Sequence, residues 1–158
     1  MQRKHQIVLF GATGFTGELV ARYFAENVPL QELRWTIAGR SAEKLSRLKD
    51  MLCGLQPECS DLSPIIADTD DADSLGKMVA STSVLLTTVG PYAKYGEAVV
   101  GACVDQNTHY VDITGEPSFW YRIIDKYHDR AEAAGVRIVP CSGFESVPPD
   151  LGALFTLQ

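Results

Sequence analysis

Short apolar runs alternate with longer segments of helical period along the whole chain. The first run, Gln6–Phe10, is rich in Ile, Val and Phe and leads into a glycine-rich turn between Gly11 and Gly17. Runs of this kind predict β-strands, and apolar positions three and four residues apart predict helices. The other predicted strands are Arg34–Ala38, Pro64–Ala67, Ser83–Thr88, His109–Ile113 and Val136–Cys141. The predicted helices cover about 18–27, 41–55, 71–80, 93–105 and 117–134.

Six strands that alternate with helices predict an α/β fold in which a parallel sheet is covered by helices on both faces. Right-handed crossovers then favour a doubly wound Rossmann sheet with strand order 3-2-1-4-5-6. Ser41 is the predicted N-cap of the second helix, and Gly135 is the predicted C-cap of the longest. The side chains predicted to face the core are Leu19, Val20, Tyr23 and Phe24, then Leu45, Leu48, Leu52 and Leu55, then Leu75, Met78 and Val79, and finally Phe119, Ile123, Ile124 and Tyr127.

Composition and charge indicate a single globular domain and argue against a nucleic-acid-binding or membrane-spanning protein. The 158 residues predict one domain, and 46% hydrophobic and 22% charged residues are typical of a globular protein. The net charge is -6 and no basic run extends beyond Arg3–Lys4, which argues against a nucleic-acid partner. No apolar stretch approaches the ~20 residues that a transmembrane helix needs. The absence of an export signal at the N-terminus predicts a cytoplasmic protein.

The four cysteines and three histidines are scattered along the sequence. None of the cysteines forms a C-x-x-C pair, and the spacing of Cys53 and Cys59 fits no common zinc pattern. We therefore expect no metal site and reduced thiols. Cys103 and Cys141 lie in apolar surroundings and are expected to be small core residues.

The turn after the first predicted strand contains three glycines at G-x-x-G-x-x-G spacing. Gly11 would allow the tight turn, Gly14 would let the backbone approach a pyrophosphate, and Gly17 would let the helix pack close to the strand. The backbone N–H groups at the start of that helix then face an anion. The strand, loop and helix context favours a dinucleotide site over a glycine-rich turn that binds nothing.

The end of the second predicted strand decides between the two nicotinamide cofactors. Sites for NAD usually place Asp or Glu there, whereas this chain has Arg40 followed by Ser41. An arginine pairs with the 2′-phosphate of NADP, so NADP is predicted and NAD is less favoured. The competing interpretation is an exposed arginine at the start of a helix. Two roles are open for Asp68, which follows the third strand. It could contact the adenine, or it could belong to the acidic first turn of the next helix.

Val89, Gly90, Pro91 and Tyr92 follow the fourth predicted strand. The carboxyl ends of the strands near the switch point line the cofactor crevice, so this segment is predicted to form its wall beside the nicotinamide ribose. A simple strand-to-helix turn is the competing reading.

Catalytic residues cannot be assigned from the sequence. No tyrosine has a lysine four residues later, so the Tyr-x-x-x-Lys pair of short-chain dehydrogenases is absent, and there is no G-x-S-x-G elbow or P-loop lysine. The acids and the histidine that could act singly are each more often surface or capping residues: they are Glu97, His109, Asp112, Glu116 and Glu145.

Taken together, five motifs resemble the saccharopine dehydrogenase-like oxidoreductases, and the trans-acting enoyl reductases of mycobacteria are similar. The motifs are the glycine loop from Gly11 to Gly17, Ala38-Gly39-Arg40-Ser41, Val89-Gly90-Pro91-Tyr92 with Tyr95-Gly96-Glu97, the run from Tyr110 to Glu116, and the run from Ser142 to Gly152. The resemblance implies that NADP is contacted by Gly11, Thr13, Gly14, Phe15, Thr16, Arg40, Asp68, Val89, Gly90 and Tyr92. It implies that the turns 112–116 and 143–148 border the nicotinamide and an inter-domain cleft. Glu145 departs from the family, which usually has Asp there, and receives no catalytic role.

The resemblance also implies a longer protein. Family members continue into a second α+β domain that covers the cleft and carries substrate contacts, and several are membrane- or lipid-associated. The segment after Pro148-Pro149 reads as an apolar helix that reaches Gln158 without a C-cap, so we expect residues 1–158 to be the N-terminal part of a two-domain chain. The leading hypothesis is the NADP-binding domain of an oxidoreductase that transfers hydride to or from an imine, an amino acid or an enoyl lipid. The isolated domain is expected to be inactive, and the full-length protein could be a homodimer. The alternative is a non-catalytic regulator that senses NADP.

Overall fold

The computed structural model describes residues 3–157. Six parallel strands form one sheet in the order β3-β2-β1-β4-β5-β6, which confirms the predicted doubly wound Rossmann arrangement. The strands are β1 (His5–Phe10), β2 (Trp35–Gly39), β3 (Ile65–Ile66), β4 (Thr82–Thr87), β5 (His109–Asp112) and β6 (Ile138–Val139). The helices are α1 (Phe15–Asn27), α2 (Ala42–Leu55), α3 (Ala72–Ala80), α4 (Tyr92–Asp105), α5 (Pro117–Ala134) and α6 (Val147–Thr156), and a 3-10 turn spans Pro57–Asp61.

The outermost strands are shorter than the sequence predicts. β3 and β6 have two residues each, whereas the predicted runs were Pro64–Ala67 and Val136–Cys141. Each pairs with a single neighbour, because it lies at an edge of the sheet. The helix boundaries agree more closely: α5 has the predicted bounds, and Gly135 ends it in the left-handed conformation at φ 64°.

The sheet separates two hydrophobic cores. One face packs against α3, α4 and α5 around Val8, Phe10, Leu85 and Phe119. The other packs against α1 and α2 around Leu9, Ile37, Leu45 and Leu52. Alternate β1 side chains enter opposite cores, as expected for a central strand that is covered on both faces.

Helix α1 confirms half of the predicted inward face: Val20 and Phe24 pack against the core, but Leu19 and Tyr23 do not. Its buried residues are Gly17, Ala21 and Ala25, while Leu19 and Tyr23 are exposed. The reason is that α1 starts directly from the glycine loop and approaches β1 closely, so that small side chains occupy the centre of its buried face. The predictions for Leu55 and Ile124, which are also exposed, are wrong for a simpler reason: each lies at the margin of its apolar stripe.

Cys103 is buried in the core as expected, but Cys141 is not a core residue. Cys141 is only partly buried and has a φ of 59°, so it forms part of the loop between β6 and α6. All four cysteines are free thiols.

Candidate cofactor crevice

The carboxyl ends of the central strands form the floor of a crevice. Ala38 of β2, Phe10 of β1, Thr87 of β4 and Asp112 of β5 lie side by side in register. Above them a cavity of about 370 Å³ opens between the glycine loop and the loops that follow β2, β3 and β4. Ligands of open α/β sheets bind at this edge, where the strand order reverses.

The glycine loop has the geometry that its three glycines predict. Gly11 has a φ of 87°, and its N–H donates to the Ala38 carbonyl at 3.0 Å. A Cβ on Gly17 would lie 2.8 Å from the Ala12 Cα and even closer to the Gly11 carbonyl oxygen, so only glycine lets α1 approach the loop. Gly14 is the N-cap of α1, and no side chain caps that helix. The first N–H groups of α1 are therefore available to a ligand anion.

The predicted cofactor residues divide into three groups by position. Eight line the cavity: Gly11, Thr13, Gly14, Arg40, Asp68, Val89, Gly90 and Pro91. Phe15 and Thr16 lie on the exposed first turn of α1, next to the loop, and Gly17 is buried beneath it. Ser41 and Tyr92 do not line the cavity, and their hydroxyl groups form hydrogen bonds with other parts of the protein.

Ser41 and Asp68 show how the loops after β2 and β3 are fixed. The Ser41 hydroxyl accepts a hydrogen bond from the Lys44 N–H at 3.3 Å, which confirms its predicted N-cap position. Asp68 Oδ1 accepts from the Asp70 N–H at 3.1 Å. The N-cap of α3 is Asp71 instead, whose carboxylate accepts from Asp73 and Ser74. The helix-starting role that was open for Asp68 thus belongs to Asp71, while Asp68 borders the cavity.

Tyr92 points away from the crevice. Its hydroxyl donates to the Thr87 carbonyl at 3.1 Å, and its ring packs against Phe119 with centroids 5.8 Å apart. Burial, together with the nearby Asp112 carboxylate, raises the pKa of this phenol. The backbone N–H of Tyr92 is held by Glu116. This placement argues against direct cofactor contact by Tyr92 and favours a role in positioning Gly90 and Pro91.

Asp112 is a buried carboxylate beneath the crevice, at the end of β5. It accepts hydrogen bonds from the Tyr110 hydroxyl at 2.6 Å, the Thr114 N–H at 2.9 Å and the Cys141 N–H at 3.1 Å. Burial raises the pKa of Asp112 above its usual value, although these hydrogen bonds act in the opposite direction. With three partners, this carboxylate ties the β5–α5 turn to the loop after β6.

Three other side chains that the sequence offered as possible catalytic groups, Glu97, His109 and Glu145, lie apart from one another. Glu97 forms ion pairs with Arg122 and Lys126, away from the crevice. His109 begins β5 at the opposite edge of the sheet, where its Nδ1 accepts from the Arg137 N–H. Glu145 lies on the surface beside Gly115. None of these three side chains lines the crevice.

Several crevice residues were not among the predicted cofactor contacts, although Thr88 ends the fourth predicted strand and Tyr95 belongs to one of the five motifs. Thr88 connects β4 to the glycine loop, because its hydroxyl donates to the Gly11 carbonyl at 3.2 Å. Tyr95, on the first turn of α4, forms part of the wall. The remaining unpredicted lining residues are Phe10, Gly39, Ala67, Thr69 and Asp70. Their only signal in the sequence is their position at or just after strand ends.

Two types of feature are absent within residues 3–157. No helix there combines the length and the apolar content that crossing a bilayer requires. No group of three or more His, Cys, Asp or Glu side chains in that part of the chain is arranged to hold a metal ion.

Comparison with known proteins gives consistent matches. The sequence model of the saccharopine dehydrogenase NADP-binding domain matches residues 7–139. A bovine (Bos taurus) saccharopine dehydrogenase-like oxidoreductase is 41% identical over 162 residues, which cover 98% of this chain and 38% of that protein. A trans-acting enoyl reductase of Mycobacterium ulcerans is 42% identical over 150 residues, which cover 95% of this chain and 35% of that protein. The chain thus spans less than two fifths of the length of these relatives.

Solved structures show the same fold at lower identity. Apo saccharopine dehydrogenase (L-Glu forming) from Saccharomyces cerevisiae superposes with a TM-score of 0.72 and 19% identity, covering 96% of this chain and 30% of that one. Triphenylmethane reductase of Citrobacter sp., complexed with NADP(H), has a TM-score of 0.62 and 23% identity, covering 85% of this chain and 48% of that one. With the family match over most of the chain, these findings lead to one conclusion: the chain belongs to the saccharopine dehydrogenase NADP-binding domain family.

Proposed function

We propose that the crevice binds NADP in preference to NAD, and that the chain is the cofactor-binding part of an oxidoreductase that transfers hydride. The observation that carries the preference is Arg40. It follows β2 at the rim of the cavity, and none of the ion pairs formed among residues 3–157 involves it. A guanidinium without a carboxylate partner at this position suits a 2′-phosphate, whereas NAD sites place an acid here.

The residues around Arg40 fit the rest of a dinucleotide. The uncapped start of α1, with Gly11, Thr13 and Gly14, would hold the pyrophosphate through backbone N–H groups and the helix dipole. Phe15, Thr16 and Gly17 continue that first turn. The adenosine half would lie toward Arg40, Ser41 and Asp68, and the nicotinamide half toward Val89, Gly90 and Pro91.

When bound, NADP would supply or accept the hydride, while this chain orients and shields it. The structure offers two supports for that task. Thr88 fixes the end of β4 to the glycine loop, and Glu116 fixes the start of α4. Both contacts keep the crevice walls at a set separation, which positions a bound ring for reaction.

The substrate would be chosen outside these residues. The names of the relatives suggest either an imine-forming amino acid or an enoyl lipid, bound with the help of a second domain in a longer chain.

Four free thiols accord with a cytoplasmic location. Homodimer formation and lipid association belong to the same proposal, and both concern the full-length protein.

Calorimetric titration with NADPH and NADH tests this function. We expect tighter binding of NADPH, and Arg40→Ala should weaken NADPH about 10- to 100-fold because hydrogen bonds to charged groups are lost, while NADH binding changes little. Arg137→Ala is the matched control, since Arg137 is exposed at the amino end of β6. Equal affinity for both cofactors in the wild type would contradict the role of Arg40. With the full-length protein, binding without cofactor turnover would favour the NADP-sensing regulator.

A further inference from the structure

Tyr92 and Tyr95 lie on the same turn of α4 and point in different directions. The Tyr92 ring is buried against Phe119, whereas Tyr95 is half-buried and lines the crevice. Tyr95 is not among the side chains that form the core on this face of the sheet. The crevice is therefore the environment that this ring serves.

The Tyr95 ring is held by contacts with its neighbours at the start of α4. Its backbone N–H donates to the Pro91 carbonyl at 3.1 Å, as part of the first turn of α4. The Lys94 ammonium lies 4.7 Å from the ring centroid. Contact with the Tyr95 hydroxyl, and to a lesser extent the charge of Asp70, raises the pKa of Lys94. A cation covers at most one face of an aromatic ring, so the other face of Tyr95 can contact a further partner in the crevice that it lines.

The position of Tyr95 identifies that partner. The lining residues that come from the loop after β3 are Asp68, Thr69 and Asp70, and Arg40 follows β2. These loops belong to the β1-β2-β3 half of the sheet, and each half of a doubly wound sheet binds one mononucleotide. The proposed 2′-phosphate contact with Arg40 places the adenosine in this half. Tyr95 itself follows β4, but the Lys94 ammonium beside its ring lies close enough to Asp70 to interact with that carboxylate. The Tyr95 ring therefore lies toward the loop after β3, and the flat group expected beside it is the adenine.

We propose that Tyr95 is a cofactor-binding residue that presents its ring to the adenine of the bound dinucleotide. The inference rests on the proposed function, because it takes the nucleotide orientation from Arg40. Base–aromatic contact is tolerant of ring substituents, so the ring and not the hydroxyl supplies the binding energy.

The test compares a fragment of the cofactor with the whole. The 158-residue chain is titrated with 2′,5′-ADP, which contains the adenosine half alone, and with NADPH. Tyr95→Ala should weaken both about tenfold, equivalent to about 1.4 kcal/mol, because base–aromatic contact contributes that order of affinity. Tyr95→Phe should bind both as the wild type does. Tyr95→Leu, which keeps apolar bulk on the helix, should resemble the alanine variant. Tyr121→Ala is the control, since Tyr121 is exposed on α5.

Each other outcome overturns the assignment. Loss of NADPH binding with unchanged 2′,5′-ADP binding would place Tyr95 at the nicotinamide instead. A Tyr95→Phe variant as weak as Tyr95→Ala would assign the effect to the hydroxyl. No change in any variant would remove Tyr95 from the site. Failure of the wild type to bind either nucleotide would instead overturn the proposed function itself. Circular dichroism and thermal melting of each variant show whether a loss of binding is a loss of fold.

Discussion

Glu116 Oε1 accepts a hydrogen bond of 2.8 Å from the backbone N–H of Tyr92, which precedes it by 24 positions. Oε2 of the same carboxylate accepts from the Ala93 N–H, also at 2.8 Å. The start of α4 is thus capped by a residue from the next βα turn, and the negative charge lies at the positive end of the helix dipole. Gly90 and Pro91, at the rim of the crevice, are consequently held by the turn that follows β5.

Removing this carboxylate should loosen both the helix and the rim. We expect Glu116→Ala to lower the free energy of unfolding by about 1–2 kcal/mol, because two helix N–H groups lose their acceptor. Glu116→Gln keeps one acceptor oxygen, so its free energy of unfolding should lie between those of the wild type and Glu116→Ala. Urea unfolding measures the effect, with Glu132→Ala, an exposed change on α5, as the control. A Glu116→Ala variant as stable as the control would show that the cap contributes nothing.

The contact between Gly17 and the glycine loop gives a second prediction. Gly17→Ala places a methyl group against the backbone of Gly11 and Ala12, which cannot rotate away, so α1 must shift. We expect a loss of about 2 kcal/mol of stability, typical of overpacking, and a parallel loss of NADPH affinity. Gly76→Ala is a matched control in α3, because a Cβ there meets no atom within 4 Å. It should raise stability by about 0.5–1 kcal/mol, as helix-interior Gly-to-Ala changes do. Thermal melting distinguishes the two, and equal shifts would contradict the close approach.

Asp112 makes stability depend on pH in a direction opposite to most carboxyl groups. Burial raises its pKa in the folded state above the usual value near 3.8. The native protein therefore holds this proton more tightly than the unfolded chain does. Its contribution is fully present below the unfolded pKa and is lost as pH rises through the raised folded pKa.

Asp112→Asn removes that ionisation. The amide oxygen can still accept from the Thr114 and Cys141 N–H groups, and its nitrogen can donate to the Tyr110 hydroxyl. We expect the free energy of unfolding of the variant, relative to wild type, to increase as pH rises from about 4 to the raised pKa and then to level off. Urea unfolding across that range measures it, with Asp125→Asn on the exposed face of α5 as the control. A difference that stays constant or decreases with pH would refute the assignment.

The sequence predicted the strand order and the glycine loop because both depend on local patterns. Strand and helix periods alternate regularly, and the three glycines of the loop act on residues close to them in the chain. Arg40 and Asp68 were found for the same reason: they follow strands whose ends must meet at one edge of the sheet.

Features that depend on packing between distant segments were missed. The direction of Tyr92 and Tyr95 is set by the rotation of α4 against α5, which no periodicity in α4 reveals. The cap from Glu116 joins residues 24 positions apart. The inward face of α1 was predicted only in part, because the close approach of this helix favours Ala21 and Ala25 over the larger Leu19 and Tyr23.

The division of the interior by the sheet has a consequence for engineering. Leu45 and Ile123 belong to different cores, with a layer of backbone between them. Substitutions on the two faces share no side-chain partners, so their energetic effects should add. A designer could therefore optimise the α1–α2 layer and the α3–α4–α5 layer in separate libraries and combine the best members afterwards, without screening every pairing.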